Sequence, residues 1–161
     1  MARYRAQNVG ALVTAPAVNA SAGFYLMAVA NNGFSLKRVT VGLTMVGSAA
    51  SPTDQNGVLA ITPTTAAATT PTALTVTKMK PWYGANNCLA MSGAATPPTF
   101  GASSTDAHQI PLSSRGGYEA VWDVPQEWDV NNGTTNGFAF VNRTNALNSP
   151  LAWVITVEWE E

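Results

Sequence analysis

The clearest constraint on this chain is the stretch Leu151-Ala-Trp-Val-Ile-Thr-Val-Glu-Trp159. Leu151, Trp153, Ile155, Val157 and Trp159 occupy alternate positions, with Ala152, Val154, Thr156 and Glu158 between them. In a β-strand successive side chains point to opposite faces, so the first set lines a core and carries two tryptophans into it. Glu160 and Glu161 follow at once, which predicts that this end of the chain is built into a sheet.

Other stretches repeat the pattern. Ala2, Tyr4 and Ala6 alternate with Arg3, Arg5 and Gln7, a short strand with one charged face. Residues 8–22 are small and polar and read as a loop. Gly23–Asn31 is a continuous apolar run, consistent with a strand buried on both sides or a short core helix. The following Asn32-Gly33 favours the strand, because this pair supplies the positive φ angles of a type I′ hairpin turn. In Phe34–Val46, Val39, Val41, Leu43 and Met45 share one parity, while Phe34 and Leu36 hold the other. A bulge near Lys37-Arg38 would restore a common face.

Gly57–Thr62 and Ala73–Lys80 also read as strands, the second carrying Lys78 and Lys80 on one face and broken by Pro81-Trp82-Tyr83-Gly84. The Ser/Thr/Ala/Pro-rich region 47–73 around the first of them predicts exposed loops or an extended arm. Residues 84–116 are weakly patterned, with short apolar islands at Cys88–Met91 and Ile110–Leu112, and read as long connections with one or two short strands. Gly117–Val124 alternates Tyr118, Ala120, Trp122 and Val124 inward. Gly137–Asn142 is expected to form a hairpin with the terminal strand through Asn145–Pro150, stacking Phe138 or Phe140 on its tryptophans. Eight to ten short strands, close turn signals and no helical periodicity predict one all-β domain over residues 1–161. It would be an antiparallel β-sandwich, jelly-roll-like or tulip-like, with long Thr/Ala/Pro-rich loops.

Charge is scarce, at 11 % of residues against about 25 % in an average soluble domain. The small net charge of −1 hides a division along the chain. Residues 1–80 hold Arg3, Arg5, Lys37, Arg38, Lys78 and Lys80 against Asp54 alone, a net of +5; residues 81–161 hold Arg115 and Arg143 against eight acids, a net of −6. Strands from the two halves are therefore expected to pair with complementary charge, within a subunit or between neighbours. No clustered basic stripe suggests nucleic acid, and no apolar run approaches the ~20 residues of a membrane span. The N-terminus has charges but no apolar segment behind them, which predicts synthesis in the cytoplasm without a signal peptide.

A catalytic signature is missing. Cys88 is the single cysteine, which excludes an internal disulfide and a multi-cysteine metal site. His108, the single histidine, lies in a stretch that reads as a solvated loop, without a Gly-x-Ser-x-Gly elbow or comparable context. Asp106-x-His108 and the acids Asp123, Glu127 and Asp129 lack recognised ligand spacing. The sequence predicts no catalytic residues, metal or cofactor. Two surface groups remain. Arg3, Arg5, Lys78, Lys80, Glu158 and Glu160 are candidate subunit or partner contacts, the acidic end with Glu161 meeting Arg3 and Arg5 in the same subunit or the next. Trp82, Tyr83 and Trp128, beside Asn- and Asp-bearing turns, are a candidate aromatic surface for a glycan or an interface; Trp122 reads as core.

The start Met1-Ala-Arg-Tyr-Arg-Ala, the strand Leu36-Lys-Arg-Val-Thr-Val-Gly-Leu43, the long middle of small residues and the ending Val154-Ile-Thr-Val-Glu-Trp-Glu-Glu161 resemble small β-rich virion proteins of tailed bacteriophages. In size and style the chain is most similar to capsid decoration, or cement, proteins. That resemblance implies a sandwich domain on the outer surface of the capsid, commonly a homotrimer and sometimes a dimer or monomer, bound to the phage major capsid protein and stabilising the shell. Alternatives are a receptor- or glycan-binding module of a head fibre or tail tip, and a minor tail protein.

Overall fold

The computed structural model describes residues 1–14, 16–46, 55–93, 98–113, 116–121, 128–143 and 151–161. Among these residues the chain forms twelve strands: β1 (Arg3–Gln7), β2 (Ala20–Met27), β3 (Phe34–Met45), β4 (Asn56–Pro63), β5 (Thr72–Ala73), β6 (Val76–Lys78), β7 (Leu89–Ser92), β8 (His108–Ser113), β9 (Gly117–Val121), β10 (Trp128–Val130), β11 (Gly137–Asn142) and β12 (Leu151–Glu160). Two antiparallel sheets pack face to face as a β-sandwich. The first runs β10-β3-β12-β1-β6, with β9 beside β10 along β3, and the second runs β5-β7-β2-β11-β4-β8.

The alternation of the terminal stretch sets its place. Leu151, Trp153, Ile155, Val157 and Trp159 all enter one core, where they meet Phe24, Leu26, Leu59, Ile61, Ile110 and Phe140 from the second sheet. The switch of parity in β3 is resolved by the expected bulge. Arg38 lies opposite Glu158 and Leu36 opposite Trp159, leaving Lys37 as the extra residue. Phe34, Leu36, Val39 and Val41 thereby share the inner face. Strand β2 is buried on both faces, as its unbroken apolar run predicts. Its outer residues Tyr25 and Met27 form a second cluster with Met91, Ala139, Val141 and Phe100. The segment bearing Phe100 is clasped there by Arg143. That guanidinium donates to both carboxylate oxygens of Asp106 and to the Gly101 carbonyl, with side chains only 5 % and 1 % exposed for Arg143 and Asp106.

Two expected pairings are overturned. Strands β2 and β3 do not form a hairpin, since they belong to opposite sheets. Neither Asn32 nor Gly33 has a positive φ, so the connection is not a type I′ turn. Gly33 serves a different need: a Cβ there would strike the Val130 carbonyl oxygen, so the glycine permits close approach of two backbones. Likewise β11 pairs with β2 and β4, whereas β12 pairs with β3 and β1. Phe140 therefore packs on Phe24, and Phe138 on Phe34 and Trp128, while Trp159 stacks with Tyr4. Residues 20–22, read as loop, begin β2. In the Thr/Ala/Pro-rich region, Thr62 and Thr64 are buried. Its residues 47–54 lie outside the described residues, as do Trp122, Asp123, Glu127 and the Asn145–Pro150 connection.

Candidate functional site

The register carries one row of residues straight across the first sheet: Trp128, Leu36, Trp159, Tyr4 and Lys78. Both ends of this row are sheet edges, and the candidate contact residues distribute along it. At the centre, the basic and acidic halves of the sequence meet inside one subunit. Arg3 binds Glu160 at 3.1 Å, and the buried Lys37 of the bulge reaches the other Glu160 oxygen at 3.2 Å. Burial alone would raise the Glu160 carboxyl, but these two cations outweigh it and hold the group below its ordinary value of 4.5. Arg38 bridges Glu119 and the buried Glu158. Glu158 and Glu160 are thus held within the chain.

Glu161 has a separate task. Its carboxylate accepts hydrogen bonds from the backbone of Asn87 and Cys88 and from the Trp159 indole, pinning the loop before β7 to the end of β12. Cys88 is buried beneath it. Burial, and then the neighbouring Glu161 carboxylate, push its thiol well above the ordinary range, which disfavours the thiolate.

Arg5, Lys78 and Lys80 lie at the β1–β6 edge, exposed, and none of them has a carboxylate partner among the described residues. Lys80 instead sits over the rings of Trp82 and Tyr83, at 5.5 and 6.0 Å from their centroids. Trp82 is 76 % exposed, the largest side chain standing in solvent at this edge. The proposed aromatic surface is not continuous. Trp128 lies on the opposite edge, four strand spacings or about 19 Å away, half-buried against Phe138.

His108 is not a loop residue. It opens β8, donates or accepts a 2.7 Å hydrogen bond with the Tyr118 hydroxyl, and packs edge-on to Trp128. The three rings join β8 of one sheet to β9 and β10 of the other, a structural junction that spans the sandwich. Period-two alternation places Tyr118 inward but carries no signal for its partner. Asp106, the nearest carboxylate in sequence, is committed to Arg143. Among the described residues no group of three metal-ligating side chains converges.

A shallow groove of about 620 Å³ runs beside the cationic edge, lined by Arg5, Gln7, Val9, Leu74, Thr77 and Met79 among others. Sequence reasoning missed it, because it arises where β1 outruns the short β6. Comparison with known protein families, characterised proteins and solved structures finds no match for this chain.

Proposed function

We propose that this chain is a virion structural protein, a capsid decoration protein that binds the outside of an assembled phage head and bridges subunits of the major capsid protein. The observation that carries the reading is how its charge is used. In the first sheet the carboxylates of Glu119, Glu158 and Glu160 are engaged by cations of the same chain, while Arg5, Lys78 and Lys80 stand exposed beside Trp82. Such an edge suits adhesion to an acidic protein surface, that of the coat or of a neighbouring copy, and a rigid sandwich presents it in a fixed geometry. Many weak contacts of this kind become strong when a lattice engages several at once. Co-sedimentation with assembled heads, compared with unassembled coat protein, tests the reading: enrichment on heads is expected, and its absence overturns it.

The exposure of Trp82, with Tyr83 and Lys80 around it, favours one second reading, a glycan- or receptor-binding module of the same particle. Saturable binding on a glycan array that Trp82→Ala abolishes would replace the first reading with this one.

A further inference from the structure

The two edges of the first sheet carry opposite charge. On the β1–β6 side Arg5, Lys78 and Lys80 are exposed without carboxylate partners among the described residues, and residues 72–82 contain no acid. On the β9–β10 side Glu119 and Asp129 are exposed, and Asp129 has no cationic partner among the described residues. Arg38 compensates one of these, Glu119, but is shared with Glu158. Asp129 has only the Ser35 hydroxyl as partner among the described residues.

The edges are separated by the width of the sheet, about 19 Å from β10 to β6. That exceeds the Debye length of about 8 Å at physiological salt. The two fields therefore do not cancel in solution, and an approaching molecule meets one sign at a time. Each edge also carries apolar side chains that the fold leaves uncovered: Trp82 and Met79 on the cationic side, Val121 on the acidic side, at 76 %, 43 % and 57 % exposure. Aromatic anchors beside complementary charge are what specific interfaces use.

We infer that these edges are the two halves of one interface, with the β1–β6 edge of one copy docking on the β9–β10 edge of a second copy. A two-fold contact made edge to edge would set like charge against like charge. Head-to-tail contact is the arrangement that satisfies both, and repeated around an axis it closes a ring. The inference gives the assembly reading above its subunit contact, yet it is tested on the purified chain without heads. Failure of either reading is therefore visible without the other.

The test is sedimentation velocity and native mass measurement across protein concentration and salt. The wild-type chain is expected to form oligomers that weaken as salt rises. Lys78→Glu/Lys80→Glu and Asp129→Lys are each expected to weaken self-association by about tenfold or more. Both alter exposed side chains, and unchanged circular dichroism and unfolding midpoints confirm intact folds; Asp129→Asn gives a milder version of the second. The decisive arm mixes the two variants. Each is defective alone, but a contact between the two variants sets opposite charges against each other, so the mixture is expected to form contacts that contain both chains. A wild-type chain that stays monomeric at its solubility limit overturns the inference. So does an oligomer indifferent to salt and to both charge reversals, or a mixture that fails to co-assemble.

Discussion

At the scale of single residues, the two core tryptophans of β12 look equivalent in the sequence and are not. Both are fully buried, and at about 25 cal/mol per Å² each contributes roughly 4–6 kcal/mol of apolar burial. That is comparable to the whole net stability of a typical domain. The difference lies in the indole nitrogen. The Trp159 indole donates to Glu161 at 3.1 Å, whereas the Trp153 indole nitrogen is buried without a hydrogen-bond partner among the described residues. An unpaired buried donor costs about 1–3 kcal/mol. Trp153→Phe loses volume but also removes that penalty, while Trp159→Phe loses volume and a charge-assisted bond. Chemical denaturation should therefore show Trp159→Phe to be more destabilising than Trp153→Phe by about 1–3 kcal/mol; equal losses would mean that the indole nitrogens do not matter. The alternation of the sequence assigns both rings to the core, but whether an indole nitrogen meets an acceptor depends on where the Glu161 carboxylate turns, which the alternation does not describe.

At the scale of elements, the bulge in β3 turns a parity error into an ion-pair site. It returns Phe34 and Leu36 to the core and leaves Lys37 on the outer face, where its ammonium reaches Glu160. The bulge was legible because apolar parity switches at Lys37-Arg38; the partner of Lys37 was not, because register across β3 and β12 is a tertiary fact. Its pH signature follows from linkage. A carboxyl held below its unfolded value contributes stability that is fully present above that value and is lost as pH falls through the depressed one. Glu160→Gln is thus expected to lower stability at neutral pH by about 1–2 kcal/mol, the group being 20 % exposed and partly screened. The gap between variant and wild type should then close on acidification below the ordinary carboxylate range. Urea midpoints measured from about pH 3 to pH 7 decide this; parallel curves would show that the pair contributes nothing through its charge.

At the scale of the molecule, the sequence tells which faces are buried and is silent on which strands are neighbours. Period two is a property of one strand, so it identified the inner residues of β1, β3 and β12. Pairing consecutive strands then failed at β2–β3 and β11–β12, because in this sandwich both connections cross between sheets. The true neighbour of β12 on one side is β1, at the other end of the chain. Ala2 and Glu161 exchange backbone hydrogen bonds, each donating to the other at 3.0 Å. The pairing of β1 with β12 therefore closes a loop of nearly the whole chain, the kind of contact that slows folding. Joining Glu161 to Met1 by a short Gly-rich linker, and opening the chain at the exposed Ala67, would turn that pairing into a local hairpin. Shortening the loop from about 150 residues to about four lowers its closure cost by about 3 kcal/mol. If half of that closure is complete in the transition state, the permuted chain refolds about tenfold faster. Stopped-flow tryptophan fluorescence measures it. An unchanged refolding rate would place the joining of the first and last strands after the rate-limiting step, with β3 and β12 assembling before β1 arrives.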